Sequence, residues 1–263
     1  MSECGHDKKS MSLLSMLRRN MFVRLNNNPK LNLRLKEISE AYISANDGIF
    51  LFYDDPTDEK KRHALRLARR ITRELGSGLF DVEACQLFAL AEAAVKIKGD
   101  MAEVGTYNGG SAKIICEVKG DTPLHLFDTF EGLPDVEETD VWSGFGTAGR
   151  FEVGEYSAPL QTALNHLKDY QNVFFYKGIF PATATPVEGK TFSFVHLDVD
   201  TYKSTLSCLE FFYPRMKRGG IILSHDYLNA AGVTKAFDEF FEKKPEPVIM
   251  LTGRQCLTVK QRD

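Results

Sequence analysis

From residue 99 onward the chain alternates between short apolar runs and stretches of helical periodicity. Strands are predicted at 101–104, 124–127, 173–176, 192–198, 220–224, 248–251 and 255–259. Helical spacing fills most of the gaps, at 111–118, 158–170, 204–216 and 233–243. Upstream, two further helices are expected. One covers 54–75, opened by Pro56, Asp58 and Glu59 and closed by Arg66, Arg69, Arg70 and Arg73; the other runs from an Asp81 cap through Lys98 to Gly99. Strand–helix–strand repetition requires right-handed crossovers and a mostly parallel sheet. The last two strands are joined only by Thr252-Gly253-Arg254, too short for a crossover, so they must form an antiparallel hairpin. The expected fold is α/β and Rossmann-like: a mostly parallel seven-stranded sheet, a C-terminal antiparallel hairpin, and helices on both faces.

The first strand of this series runs into a glycine turn and a helix, MAEVGTYNGGS over 101–111. Such turns lie at the carboxyl edge of an open sheet, where ligands bind. The spacing G-x-x-x-G-x-S departs from the G-x-G-x-x-G of pyrophosphate binders, which disfavours a dinucleotide. Glu103 ahead of Gly105 and Gly109 suits a cationic ligand without phosphates, and S-adenosylmethionine (SAM) meets that description. Tyr107 and Ser111 fall within the same turn and are assigned to the same pocket. A plain turn with no ligand is the alternative. The second strand ends in Asp128, placed either to accept the hydroxyls of an adenosine ribose or to cap its own turn. Lys177 and Gly178, after the third strand, are placed beside the adenine. A parallel sheet closed by an antiparallel strand, with such a turn, is the architecture of class I SAM-dependent methyltransferases.

Composition narrows the picture only slightly. The chain has 263 residues, 43% apolar and 26% charged, with a net charge of −3, so nothing drives it globally toward nucleic acid or an anionic membrane. No apolar run approaches ~18 residues, the length a spanning helix requires. Five scattered cysteines without a C-x-x-C pair suit reduced thiols in a cytoplasmic protein. Residues 1–46 read as a basic arm, either a surface or dimer-contacting segment or a targeting one, ahead of a domain at 47–263. The stretch from Phe130-Glu131-Gly132-Leu133-Pro134 to about Tyr156 is long, glycine-rich and acidic, and holds the sole tryptophan, Trp142. Segments of that length inside a compact domain are usually lids or binding loops.

Two neighbouring strands end in acidic groups. HLDVDTY places Asp198 and Asp200 at one strand end, and LSHDY places His225 and Asp226 at the next. Parallel neighbours lie ~4.8 Å apart, so these side chains can converge on one point and hold a hard divalent cation such as Mg²⁺. Taken alone, Asp200 and Asp226 could each cap the helix that follows, but the pair of strand ends together favours a metal.

The runs EVGTYNGGSA, LFDTFEGLP, KGIFPATA, HLDVDTYKST, RGGIILSHDY and GVTKAFDEFF, in that order, resemble the macrocin O-methyltransferase family over residues 79–259. The resemblance implies a SAM- and Mg²⁺-dependent, oligomeric enzyme that methylates a hydroxyl of a small molecule, a sugar hydroxyl of a glycosylated natural product. It implies Asp198 as a metal ligand and base, and Asp226 as a metal ligand. The chain departs from the family where His225 stands in place of the first of two paired aspartates. Histidine is a competent but softer ligand, so the site is expected to bind metal more weakly, to prefer a transition ion, or to have lost the metal and left His225 as a base. Rival readings are an oxidoreductase on the same fold and a non-catalytic SAM-binding or assembly protein.

Overall fold

The computed structural model of the chain describes residues 59–75, 78–144 and 146–262. The basic arm at 1–46 and the start of the expected 54–75 helix lie outside them. The compact unit considered below is His63–Asp263.

Helix α1 (Glu59–Leu75) buries Ala64, Leu67, Ala68 and Ile71, an i, i+3, i+4, i+7 stripe, and turns Arg66, Arg69 and Arg70 outward. Helix α2 (Asp81–Ala94) is shorter than expected; beyond Ala94 the N–H groups of Val95 and Ile97 bond three residues back and tighten the chain into a turn. Asp81 does not cap this helix. Phe80 holds the cap position, its N–H donates to Glu83 Oε2 at 2.8 Å, and Asp81 instead accepts from Arg69 Nε at 2.8 Å.

The remaining elements are β1 (Asp100–Val104), α3 (Gly110–Cys116), β2 (Leu124–Asp128), β3 (Val141–Gly144), β4 (Thr147–Arg150), α4 (Leu160–Leu167), β5 (Val173–Lys177), β6 (Phe192–Leu197), α5 (Tyr202–Phe212), β7 (Met216–Ser224), α6 (Ala231–Phe241), β8 (Ile249–Met250) and β9 (Cys256–Val259). Seven strands form one sheet in the order β5-β2-β1-β6-β7-β9-β8. Pairings among β5, β2, β1, β6 and β7 are parallel, and those of β9 with β7 and with β8 are antiparallel, as the short final connection demanded. The chain moves outward from β1 to β2 and β5, then returns to the other side of β1 as β6, so the topological switch point falls between β1 and β6.

Alternation divides the sheet into two faces. Ala102, Val104, Phe127, Val195, Leu197 and Ile222 join one hydrophobic cluster with Leu209 and Phe212 of α5 and Val233, Phe237 and Phe241 of α6. The intervening residues, among them Met101, Glu103, Phe194 and His196, point to the opposite face, where α2, α3 and α4 pack in succession. Helices therefore cover both faces, and Glu103 and His196 lie on the α2 side.

The long irregular stretch expected after Pro134 contains a hairpin. β3 and β4 pair antiparallel with Trp142 opposite Gly149, and a Cβ on Gly149 would come within 2.6 Å of the indole Cζ2. The hairpin is docked: Ser143 N–H donates to the Asn229 carbonyl at 2.7 Å, and buried Asp140 accepts from Glu137 N–H and Tyr202 N–H, each at 2.7 Å. Four cysteines, Cys85, Cys116, Cys208 and Cys256, are buried and free, and burial pushes the Cys85 and Cys116 thiols up to about 12. Among the described residues no helix is long and apolar enough to cross a membrane.

Candidate active site

The turn after β1 is shaped by close approach. Gly105 has φ +90°, and a Cβ there would sit 1.8 Å from the Asp198 carbonyl oxygen, so the β1 and β6 ends touch backbone to backbone. Gly109, also at φ +90°, precedes α3. Asp128, at the end of β2, ties the turn down: Oδ2 accepts from the Tyr107 N–H at 2.7 Å and Oδ1 from the Phe130 N–H at 2.5 Å. Burial raises its carboxyl pKa, with those backbone bonds opposing the rise. Asp128 is thus a turn clamp in this structure, with the Thr106 backbone a third donor to it.

Beneath the turn, Glu103 and His196 face each other in register across β1 and β6. Both are fully buried, with His196 Nδ1 2.8 Å from Glu103 Oε1. Glu103 Oε2 is buried and has no hydrogen-bond partner. Burial raises the Glu103 carboxyl pKa against the lowering effect of His196. A cationic donor reaching this point would satisfy the orphaned oxygen.

One strand along, Asp198, His225 and Asp226 converge just beyond the ends of β6 and β7. Each offers a ligand atom, and these atoms lie within 4.8 Å of one another. His225 Nδ1 stands 3.0 Å from Asp198 Oδ1 and 2.8 Å from Asp226 Oδ2. Its other nitrogen, Nε2, is 3.1 Å from Glu83 Oε2. Glu83 also accepts from Arg254, at 2.9 Å from the backbone N–H, 3.0 Å from Nε and 2.9 Å from Nη2. Burial works to raise the Glu83 carboxyl, but the bonds from His225 and Arg254 bring it down to about 2. An ionised Glu83 can only accept, so Nε2 carries the proton that faces it. Nδ1 then faces two carboxylate oxygens, a position that either a second ring proton or a metal ion can fill. Asp226 Oδ1 is also buried without a hydrogen bond, 3.3 Å from Arg254 Nη1.

The carboxylates make the centre strongly negative around His225. Burial opposes charge on His225, yet the carboxylates of Asp198 and Asp226 raise its pKa well above the ordinary value. Burial, then the charges of Asp226 and Asp198, hold the Asp200 carboxyl well above the usual range. Neither Asp200 nor Asp226 caps a helix. Both have positive φ, +60° and +58°, and the cap positions of α5 and α6 belong to Thr201 and Ala230. The donor set of two carboxylates and one imidazole fits a divalent metal ion.

The structure thus brings Asp198, His225 and Asp226 together, and places Glu103, Gly105, Tyr107, Gly109, Ser111 and Asp128 around one turn. Lys177 and Gly178 lie on the neighbouring outer strand beside Asp128: Lys177 is in register with Asp128 and pairs with Glu131 at 2.8 Å, and Gly178 N–H donates to the Asp128 carbonyl at 2.9 Å. Sequence reading missed Glu83, His196 and Arg254. Glu83 is not singled out by the sequence and Arg254 reads only as part of a hairpin turn, and only the fold brings them to His225.

Strand order, switch point and glycine turn define the class I SAM-dependent methyltransferase fold, and the solved O-methyltransferase NovP shares it at a TM-score of 0.57 and 22% identity, over 67% of this chain and 78% of that one. The family model for Macrocin-O-methyltransferase (TylF) matches residues 82–252, and the chain belongs to that family. The chain is similar to the 8-demethyl-8-(2,3-dimethoxy-alpha-L-rhamnosyl)-tetracenomycin-C 4'-O-methyltransferase of Streptomyces olivaceus, 28% identical over 140 residues, 50% of this chain and 54% of that protein. It is also similar to the demethyldecarbamoylnovobiocin O-methyltransferase of Streptomyces niveus, 24% identical over 156 residues, 56% of this chain and 60% of that protein. The matches span little more than half the length of either relative.

Proposed function

We propose that the protein is a SAM-dependent O-methyltransferase acting on a sugar hydroxyl of a glycosylated small molecule. The observation that carries this reading is the pairing of two unlike acidic pockets at one switch point: the orphaned Glu103 oxygen under the glycine turn, and the Asp198–His225–Asp226 cluster beside it. Family membership and the named sugar O-methyltransferases among its relatives support the choice of donor and acceptor. The expected cytoplasmic location and homo-oligomeric assembly belong to the same reading, as does the domain boundary near residue 47.

In this reading Glu103 holds the ammonium of the cofactor, Gly105 and Gly109 let the backbone approach it, with Tyr107 and Ser111 beside them, and Asp128 takes the ribose. Lys177 and Gly178 border the adenine. The methyl group passes from sulfonium to hydroxyl oxygen, the sulfur leaving as a neutral thioether. An alkyl hydroxyl is a poor acid, so its proton must be removed as the bond forms. Asp198, the partly exposed member of the cluster, is placed as that base, with His225 as the alternative. A divalent ion held by Asp198, His225 and Asp226 would lower the acidity barrier of a coordinated hydroxyl. Mg²⁺ is the ion the family resemblance implies. The docked 141–150 hairpin and Tyr156 border the acceptor side.

The test is methyl transfer from labelled SAM to a panel of deoxysugar glycosides, with NAD as a binding control. Label transferred to a sugar oxygen supports the proposal. Absence of SAM binding, or binding of NAD in its place, overturns it.

A further inference from the structure

The cluster holds a nitrogen donor, His225, where the family resemblance implies a carboxylate, and the surrounding residues orient that nitrogen. Glu83 takes the Nε2 proton of His225 at 3.1 Å, and is itself locked by three contacts from Arg254. The consequence is directional: the ring is fixed with Nδ1 aimed between Asp198 Oδ1 and Asp226 Oδ2. Carboxylate–histidine pairs of this kind orient metal-binding imidazoles and raise their basicity. Asp226 Oδ1, buried with no hydrogen bond, meets the charge of Arg254 Nη1 at 3.3 Å.

We infer that the His225–Glu83–Arg254 relay makes this centre select a first-row transition-metal dication over Mg²⁺. The physical ground is the donor set. Mg²⁺ favours all-oxygen coordination and retains its waters, whereas an imidazole nitrogen gains affinity along the series from Mn²⁺ to Co²⁺ and Ni²⁺. An imidazole ligand also carries no negative charge, and that lack costs a hard ion more than a softer one. Glu83 and Arg254 act here as positioning residues; neither is a ligand. The inference rests on the metal-binding part of the proposed function, and it assigns that site a different ion.

The experiment titrates the metal-free full-length protein with CoCl₂ and with MgCl₂ by calorimetry, recording the Co²⁺ d–d absorption in parallel. The parent is expected to bind Co²⁺ at least about tenfold more tightly than Mg²⁺ and to show a Co²⁺ band sensitive to His225. His225→Asn, which keeps size and replaces nitrogen by an amide oxygen donor, should shrink the Co²⁺-to-Mg²⁺ affinity ratio about tenfold or more and shift the band. Glu83→Gln should weaken Co²⁺ by about 10–100-fold. Because Glu83 is buried, its variant counts only if its melting curve remains cooperative; the His225→Asn ratio carries the test otherwise. A ratio unchanged by His225→Asn, or a parent that prefers Mg²⁺, overturns the selectivity while leaving the metal site standing. A parent that binds neither ion overturns both.

Discussion

Two imidazole–carboxylate groups sit one strand apart at the carboxyl edge of the sheet, and they are built in opposite ways. Glu103 and His196 form a sealed pair 2.8 Å apart, with the Ser111 side chain also bonding Glu103, Oε2 without a hydrogen bond, and no exposed surface on either side chain. His225 instead stands among three carboxylates, those of Asp198, Asp226 and Glu83, with Arg254 closing the far side. The sealed pair has a vacant acceptor and suits a single cationic group brought by a ligand. The crowded group presents converging donors and suits a bare ion. Under the proposed function, one switch point would supply two chemically distinct anchors, one for a sulfonium cofactor and one for the oxygen that receives its methyl group.

Removing the base and ligand should give the largest effect. Asp198→Asn is expected to lower methyl transfer by roughly 10²–10⁴-fold, with SAM affinity nearly unchanged, as read by transfer rates beside calorimetry. A variant as fast as the parent would remove Asp198 from the mechanism. The sealed pair should respond in the reverse sense. Glu103→Gln is expected to cost ~1.5–3 kcal/mol of SAM binding while leaving metal affinity intact. If only the melting temperature falls, Glu103 is a prop for the turn and the contrast between the two groups collapses. Asp128→Ala should likewise weaken SAM by ~1.5–3 kcal/mol, and it should also loosen the turn, because the Tyr107 and Phe130 amides lose their acceptor.

The smallest effect concerns a third histidine, outside the site. Burial lowers the pKa of His125 below 6.5, against an opposing bond to Asp100, so the folded chain binds fewer protons there than the unfolded chain does. Its contribution to stability should therefore be lost as pH falls through 6.5. His225 has the opposite sign: its raised value gives stability below 6.5 that is lost as pH rises through the folded value. Urea unfolding of the parent and of His125→Gln on either side of pH 6.5 separates the two, since only the parent should show the acid-side loss.

Much of the fold was legible because its signals are local. The runs at 101–104, 124–127 and 192–198 are apolar and short, and Thr252-Gly253-Arg254 leaves no room for a crossover, so sheet type and final hairpin followed directly. Element ends were less legible: α5 begins at Tyr202 and stops at Phe212, where Pro214 turns the chain into a single 3₁₀ turn. The β3–β4 hairpin was hidden because its strands are half exposed and glycine-rich, with pairing fixed by the fit of Trp142 on Gly149 rather than by apolar alternation. At the site, Asp198, His225 and Asp226 were readable as strand-end residues. Glu83 lies 142 residues from His225 and Arg254 lies 171 from Glu83, and no spacing rule links groups so far apart.

The most direct test of the central claim, that the two groups serve separate ligands, is calorimetric titration of SAM into the full-length protein, with and without a metal chelator. The account predicts one SAM site per chain whose affinity is unchanged by chelation, while methyl transfer in the same samples falls. SAM binding that disappears with the metal would show the two groups to be one site and contradict it.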